Sequence, residues 1–148
     1  MFSFKRITFV GFGLLASSIA AAFKQAKENV VIRAVSSPKT LDRAKELHLA
    51  DETFGYDELD KWVEGSDVIL LCTPISIILS TLEKLSRFLP SHPILVTDIG
   101  STKAEICKAG AALKAPFRFV GSHPMAGSEK HSVEYNDPSL FENAYWFV

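Results

Sequence analysis

A histidine inside a glycine-rich run, Gly121-Ser122-His123-Pro124-Met125-Ala126-Gly127-Ser128-Glu129, is the segment of this sequence best equipped for proton transfer. Imidazole changes charge near neutral pH, so it can act as base and then as acid. A second run, Thr97-Asp98-Ile99-Gly100-Ser101-Thr102-Lys103, brings together hydroxyls, a carboxylate and an ammonium. Ser101 and Thr102 read either as ligand contacts or as the cap of a following helix. A third, Gly11-Phe12-Gly13-Leu14-Leu15-Ala16, has the G-x-G-x-x-G/A spacing of a phosphate-binding turn. There Gly11 permits a tight turn, Gly13 lets backbone approach a pyrophosphate, and Ala16 allows close helix–strand contact. The helix behind the turn adds free N–H groups and a positive dipole end. A fourth, Cys72-Thr73-Pro74, reads equally as the border of a ligand or as a plain strand-to-helix turn.

These runs carry chemistry only if the fold gathers them. Ile7-Thr8-Phe9-Val10 reads as a strand closed by glycine, and Leu14 to Glu28, Ala-rich and free of proline, as a helix. Val30 to Val35 is a second strand, and Pro38 opens a helix running to about Leu49, with His48 inside it. Thr53-Phe54 is a short third strand, followed by an acidic helical turn around Asp57 to Val63. Val68 to Cys72 and Ile94 to Thr97 are apolar runs of the kind buried on both faces of a parallel sheet. Ile75 to Leu89 has apolar residues at i, i+3, i+4 spacing, and Thr102 to Leu113 repeats the helix signature. Phe117 to Val120 and Ala144 to Val148 complete the strands. The only long irregular stretch is Gly121 to Glu142, and a loop that long is more often functional than idle.

Strands alternating with helices predict an α/β fold, a doubly wound and mostly parallel sheet of Rossmann type with helices on both faces. In such a sheet ligands lie outside the carboxyl ends of the strands. Gly11, Phe12, Gly13, Leu14 and Leu15 are therefore the expected cofactor contacts, joined by Cys72, Thr73, Pro74, Asp98 and Gly100. Ser-His-Pro occurs twice and makes an internal control. Ser91-His92-Pro93 precedes a strand and falls at the amino edge, whereas Ser122-His123-Pro124 follows one and faces the ligand edge. His123 is the functional candidate; His48 and His131 read as ordinary surface residues.

The fingerprint also calls for an acid at the end of the second strand, to hold the ribose 2′-hydroxyl of NAD. Val35-Ser36-Ser37-Pro38-Lys39 stands there instead. Ser36, Ser37 and Lys39 can donate to a 2′-phosphate, which favours NADP over NAD, and Ser-Ser-Pro can cap the next helix at the same time.

Composition narrows the classes. Sixteen Lys and Arg against seventeen Asp and Glu leave a net charge of −1 over 148 residues, without the basic surplus of a general nucleic-acid or anionic-membrane binder. An apolar fraction of 47% excludes a disordered chain. Two cysteines, Cys72 and Cys107, give neither a disulfide scaffold nor metal-ligand spacing, so no metal is expected and a cytoplasmic setting is the simplest. The start, with Lys5 and Arg6 before an apolar stretch and Ala20 to Ala22, imitates a signal peptide. Gly11, Gly13, Ser17 and Ser18 interrupt it and fit a folded strand, turn and helix better.

Gly11-x-Gly13, Cys72-Thr73-Pro74, Asp98-Ile99-Gly100-Ser101-x-Lys103 and Gly121-Ser122-His123-Pro124-Met125-Ala126-Gly127, in this order, resemble the prephenate/arogenate dehydrogenases of tyrosine biosynthesis. The resemblance covers essentially the whole chain and implies that residues 1–148 are the dinucleotide-binding domain. It implies a further helical domain, absent from this chain, that completes the substrate pocket and forms a homodimer. The implied reaction is NAD(P)-dependent oxidative decarboxylation of prephenate to 4-hydroxyphenylpyruvate, or of arogenate to tyrosine. By motif position His123 is the catalytic base on the substrate hydroxyl, and Ser101 orients it or binds the same hydroxyl. Gly127 and Glu129 complete the expected substrate contacts. Two other readings share the glycine turn: a β-hydroxyacid dehydrogenase or imine reductase, and a non-catalytic dinucleotide-sensing module. The His-Pro-Met-Ala-Gly loop separates the first of these from the main reading.

Overall fold

Strand propensity and the glycine turn act from the first described residues of the chain. In the computed structural model, which describes residues 4–148, the apolar start is a strand, a turn and a helix within the fold. Strands β1 (Arg6–Val10), β2 (Val31–Val35), β3 (Glu52–Phe54), β4 (Val68–Leu71), β5 (Ile94–Asp98) and β6 (Phe117–Val120) form one sheet in the order β3-β2-β1-β4-β5-β6. Every neighbouring pair is parallel. The order reverses between β1 and β4, and this switch point opens a crevice at the carboxyl edge.

Helices α1 (Leu14–Gln25), α2 (Pro38–Glu46), α3 (Leu59–Glu64), α4 (Ile75–Ser86) and α5 (Ala104–Ala111) make the crossovers. Side chains alternate across each strand, so the sheet has two separate cores. Ile7, Phe9, Ile32, Ala34, Val68 and Leu70 pack with α1 and α2 on one face. Val10, Val35, Ile69, Leu71 and Val96 pack with Trp62, Ile78, Leu82 and Ile106 of α3, α4 and α5 on the other.

Two helices end earlier than expected. α1 stops at Gln25 rather than Glu28, and α2 at Glu46 rather than Leu49. Lys27 (φ 54°) and His48 (φ 55°) adopt the left-handed conformation just beyond. The Glu28 N–H then reaches the Phe23 carbonyl at 3.2 Å, and the Leu49 N–H reaches that of Ala44 at 3.0 Å. Both ends are Schellman closures made without glycine, and His48 lies outside its helix.

The run Ala144 to Val148 does not extend the main sheet. Strand β8 (Trp146–Phe147) pairs antiparallel with β7 (His123–Pro124) in a small separate ladder. On the α1 face, no helix among the described residues covers the β4–β6 end of the sheet. Leu70, Leu95, Val120, Trp146 and Val148 line an apolar hollow of about 310 Å³ there.

One buried charge braces the amino half. Arg33, in the middle of β2, is opposite Glu52 in the β2–β3 register and donates to its carboxylate at 2.8 Å. Its guanidinium also donates to the Trp62 and Lys61 carbonyls at 2.8 and 2.9 Å and packs over the Phe54 ring. Burial pushes the Glu52 carboxyl up, but the hydrogen bond and charge of Arg33, with Arg6 beside it, outweigh that and hold it below the ordinary carboxylate range.

Candidate active site

The turn between β1 and α1 sets the floor of the site. Gly11 has φ +89°, and a Cβ there would stand 2.7 Å from Thr73 Cγ2 and 3.0 Å from the Cys72 carbonyl. Only glycine meets both demands, so the first two motifs interlock at this residue. The Gly11 N–H donates to the Val35 carbonyl at 2.8 Å. Phe12 turns into the core, edge-on to Phe9, and contributes only backbone to the turn.

Above it lies a cleft of about 720 Å³ at the carboxyl edge of the sheet. Gly13, Leu14 and Leu15 form one wall, and Cys72, Thr73 and Pro74 another. Gly100 and Ser101 come from the β5–α5 turn, and His123 and Gly127 from the segment after β6. Four motifs far apart in sequence thus converge on one cavity. His92 lies at the opposite edge, with its Nε2 2.8 Å from the Ser66 carbonyl oxygen.

The long loop reaches the cleft because it is tied at both ends. Its start is held by the β7–β8 ladder and by the Met125 N–H, which donates to the Tyr145 carbonyl at 2.8 Å. Farther along, Val133, in a 3-10 turn over residues 133–135, is buried among α1 and α2 side chains. The Asp137 N–H donates to Ser18 Oγ of α1 at 2.9 Å. Between these anchors Ser128, Lys130 and His131 line the cleft. His131 is therefore no ordinary surface residue: its carbonyl oxygen stands 3.2 Å from where a Gly13 Cβ would be. Sequence reading missed Lys130 and His131, and the loop's length was the only signal pointing to them.

Several expected contacts fall elsewhere. Asp98 is wholly buried beneath the cleft, where it accepts from Gly100 N–H at 2.8 Å, from Ser122 N–H at 3.2 Å and from the Lys103 ammonium. Its carboxylate cannot touch a cofactor directly. Glu129 is exposed and does not line the cleft. Ser36, Ser37 and Lys39 stand apart at the end of β2, with Ser36 buried and Lys39 exposed. Ser37 is the N-cap residue of α2, as its sequence suggests, although its hydroxyl bonds Thr40 rather than backbone. The Glu134 carboxylate is held below its ordinary range, chiefly by the Ser132 hydroxyl and less by the charges of Arg43 and Lys39.

The capping alternative for Ser101 and Thr102 fails. α5 starts at Ala104 with Lys103 as its cap residue, and no side chain caps it. Ser101 is exposed in the cleft, and neither its hydroxyl nor the His123 ring has a hydrogen-bond partner among the described residues. Ser101 therefore does not orient His123 through a direct bond, and both groups are free to meet a ligand. The half-buried Cys72 thiol is pushed well above its ordinary range, first by loss of water and then by the Asp98 charge, so it stays protonated.

The residues present fit a dinucleotide. A second hollow of about 320 Å³ shares Thr73 and Pro74 with the cleft and runs on to Tyr56, Ile77, Thr81 and Trp62. Two polar atoms there, Thr73 Oγ1 and Trp62 Nε1, are buried without a partner. Such orphaned groups in a cavity wall are what a bound heterocycle or hydroxyl satisfies. Among the described residues no His, Cys, Asp and Glu cluster is placed to hold a metal, and no helix is long and apolar enough to cross a membrane.

Comparison with known proteins agrees with this geometry. Residues 19–148 match the family pattern described as prephenate dehydrogenase, nucleotide-binding domain. The chain is 37% identical over 146 residues to the prephenate dehydrogenase of Lactococcus lactis subsp. cremoris, covering 97% of this chain and 40% of that protein. Among solved structures, prephenate dehydrogenase from A. aeolicus, in complex with hydroxyphenyl propionate and NAD+, superposes with a TM-score of 0.84 at 30% identity. That match covers 98% of this chain and 50% of the other. Synechocystis arogenate dehydrogenase gives 0.82 at 33% identity, over 95% of this chain and 48% of the other. This chain spans half or less of the length of each of these relatives. It belongs to the prephenate dehydrogenase family and corresponds to the family's nucleotide-binding domain.

Proposed function

We propose that this chain is the cofactor-binding part of a dehydrogenase that oxidatively decarboxylates prephenate or arogenate. The observation that carries the reading is the meeting of an unpartnered His123 and Ser101 with the glycine turn in one cleft. Gly13 with the N-terminus of α1 would hold the pyrophosphate, and the hollow beside Thr73 would take the adenosine end. When bound, the nicotinamide supplies a two-electron acceptor for hydride.

The chain's own residues supply the rest. His123 accepts the proton of the ring hydroxyl as the C4–H bond gives up its hydride, and Ser101 donates to the same oxygen and fixes its direction. As the C4 oxygen becomes a carbonyl, the C1–carboxylate bond breaks, carbon dioxide leaves, and the pair it leaves behind aromatises the ring. The phenolate oxygen so formed takes the proton back from His123. Lys130 and His131 add cationic and polar groups at the cleft, suited to the substrate's carboxylates or the cofactor's phosphates. A helical domain following this one would close the pocket and form a homodimer. Glu129, outside the cleft here, would reach the substrate only through that closure.

We further propose NADP as the preferred cofactor, since β2 ends in Val35-Ser36-Ser37 with no acidic residue among these described positions to repel a 2′-phosphate, and Lys39 is exposed beside it. Glu134 shares the Lys39 charge, so the preference over NAD is modest. The test is reduction of NADP and NAD by the full-length protein with prephenate and with arogenate. Turnover with one of the two substrates supports the proposal. No turnover with either substrate and either cofactor removes it.

A further inference from the structure

Three groups of Ser122, the residue before His123, are all bound by the β5–α5 turn. Its N–H donates to Asp98 Oδ1 at 3.2 Å, and its hydroxyl donates to the Asp98 carbonyl at 2.6 Å. Its own carbonyl accepts from Lys103 Nζ at 2.7 Å. The Thr97 hydroxyl donates to Ser122 Oγ at 3.0 Å. Asp98 in turn uses Oδ2 for the Gly100 N–H, in the turn that carries Ser101, and for the Lys103 ammonium. One buried carboxylate and one lysine thus tie the backbone bearing His123 to the backbone bearing Ser101. Neither side chain lines the cleft; Lys103 holds the N-cap position of α5, and its ammonium turns back to Asp98 and the Ser122 carbonyl.

An ion pair whose carboxylate is fully buried is a costly way to gain stability, because taking that charge out of water offsets much of the attraction. Its geometry has a better use. The two reacting-side groups come from different loops, and a misplacement on the order of 1 Å at such a site costs about a hundredfold in rate. We propose that Asp98 and Lys103 are positioning residues that act through Ser122 to aim the His123 ring at the oxygen held by Ser101. This rests on the function proposed above.

The decisive variants are Lys103→Met, Lys103→Arg and Asp98→Asn in the full-length protein. Lys103 lies at the rim of the network, with its side chain 31% exposed, so its replacement spares the core if Asp98→Asn fails to fold. Lys103→Met is expected to lower kcat at least tenfold while the dinucleotide Kd moves less than twofold, and Lys103→Arg is expected to restore most of the loss. With histidine-specific nitrogen labelling, the ring signals of His123, identified by their disappearance in His123→Asn, shift or split in Lys103→Met while those of His92 stay. A kcat within twofold of wild type overturns the proposal, as does a loss matched by an equal loss of dinucleotide affinity. If the wild-type protein turns over neither substrate, the functional reading falls, and the ring signals alone judge the clamp: moved signals uphold it, unmoved ones overturn it.

Discussion

At the residue scale, His123 separates from His92 by strand polarity alone, because a residue just after a parallel strand reaches the ligand edge and one just before it does not. Asp98 lies beneath that edge rather than on it, and strand parity gives the reason. Ile94, Val96 and Asp98 share one parity along β5, and the first two are core residues, so the carboxylate points inward with them. Lys130 and His131 left no such trace, because loop backbone has no period to read. With Ser101 free in the cleft, Ser101→Ala should reduce kcat/KM about tenfold, about 1.4 kcal/mol for one lost hydrogen bond to the reacting oxygen, while dinucleotide affinity stays constant. Lys39→Glu reverses the one exposed cation among the three residues proposed for the 2′-phosphate. A fluorescence titration should show NADPH affinity falling about tenfold and NADH affinity nearly unchanged, the scale of one charge-assisted contact. Equal losses for both would detach Lys39 from cofactor choice.

At the element scale, strands and helices followed from propensity and period, and the misses cluster at helix ends. Glycine is the usual signal for a left-handed closing residue, and here Lys27 and His48 fill that place. A side chain in that conformation costs about 1–2 kcal/mol. His48→Gly should therefore stabilise the protein by about 1 kcal/mol in denaturant unfolding, with no effect on cofactor binding, since His48 is exposed and far from the glycine turn in the fold. Destabilisation would mean that the His48 side chain makes contacts that outweigh its strain. The β7–β8 ladder was the element least open to prediction, because two-residue strands carry no alternation. It nevertheless holds the His123 end of the loop in place.

At the scale of the whole molecule, the order β3-β2-β1-β4-β5-β6 of parallel strands places the crevice at the switch point between β1 and β4. Arg33 is a charge buried in the amino half of the sheet, and its partners bind β1, β2, β3 and α3 into one unit. Glu52 has its pKa lowered in the folded state, so its contribution is complete above the ordinary carboxylate range and is lost as pH falls through the depressed folded value. The stability gap between wild type and Glu52→Gln should accordingly be widest near neutral pH and narrow on acidification below about pH 4.5. A gap independent of pH would show that the Glu52 charge is not what Arg33 uses. The account stands or falls on the division of labour inside the cleft, between a turn that binds the dinucleotide and a histidine that moves a proton. It is tested most directly by measuring NADPH affinity and turnover side by side for wild type, His123→Asn and His92→Asn in the full-length protein. The prediction is that His123→Asn keeps affinity within about twofold while losing at least a hundredfold in kcat, the range of a lost general base, and that His92→Asn changes neither. Turnover that survives in His123→Asn, or falls equally in His92→Asn, would contradict it.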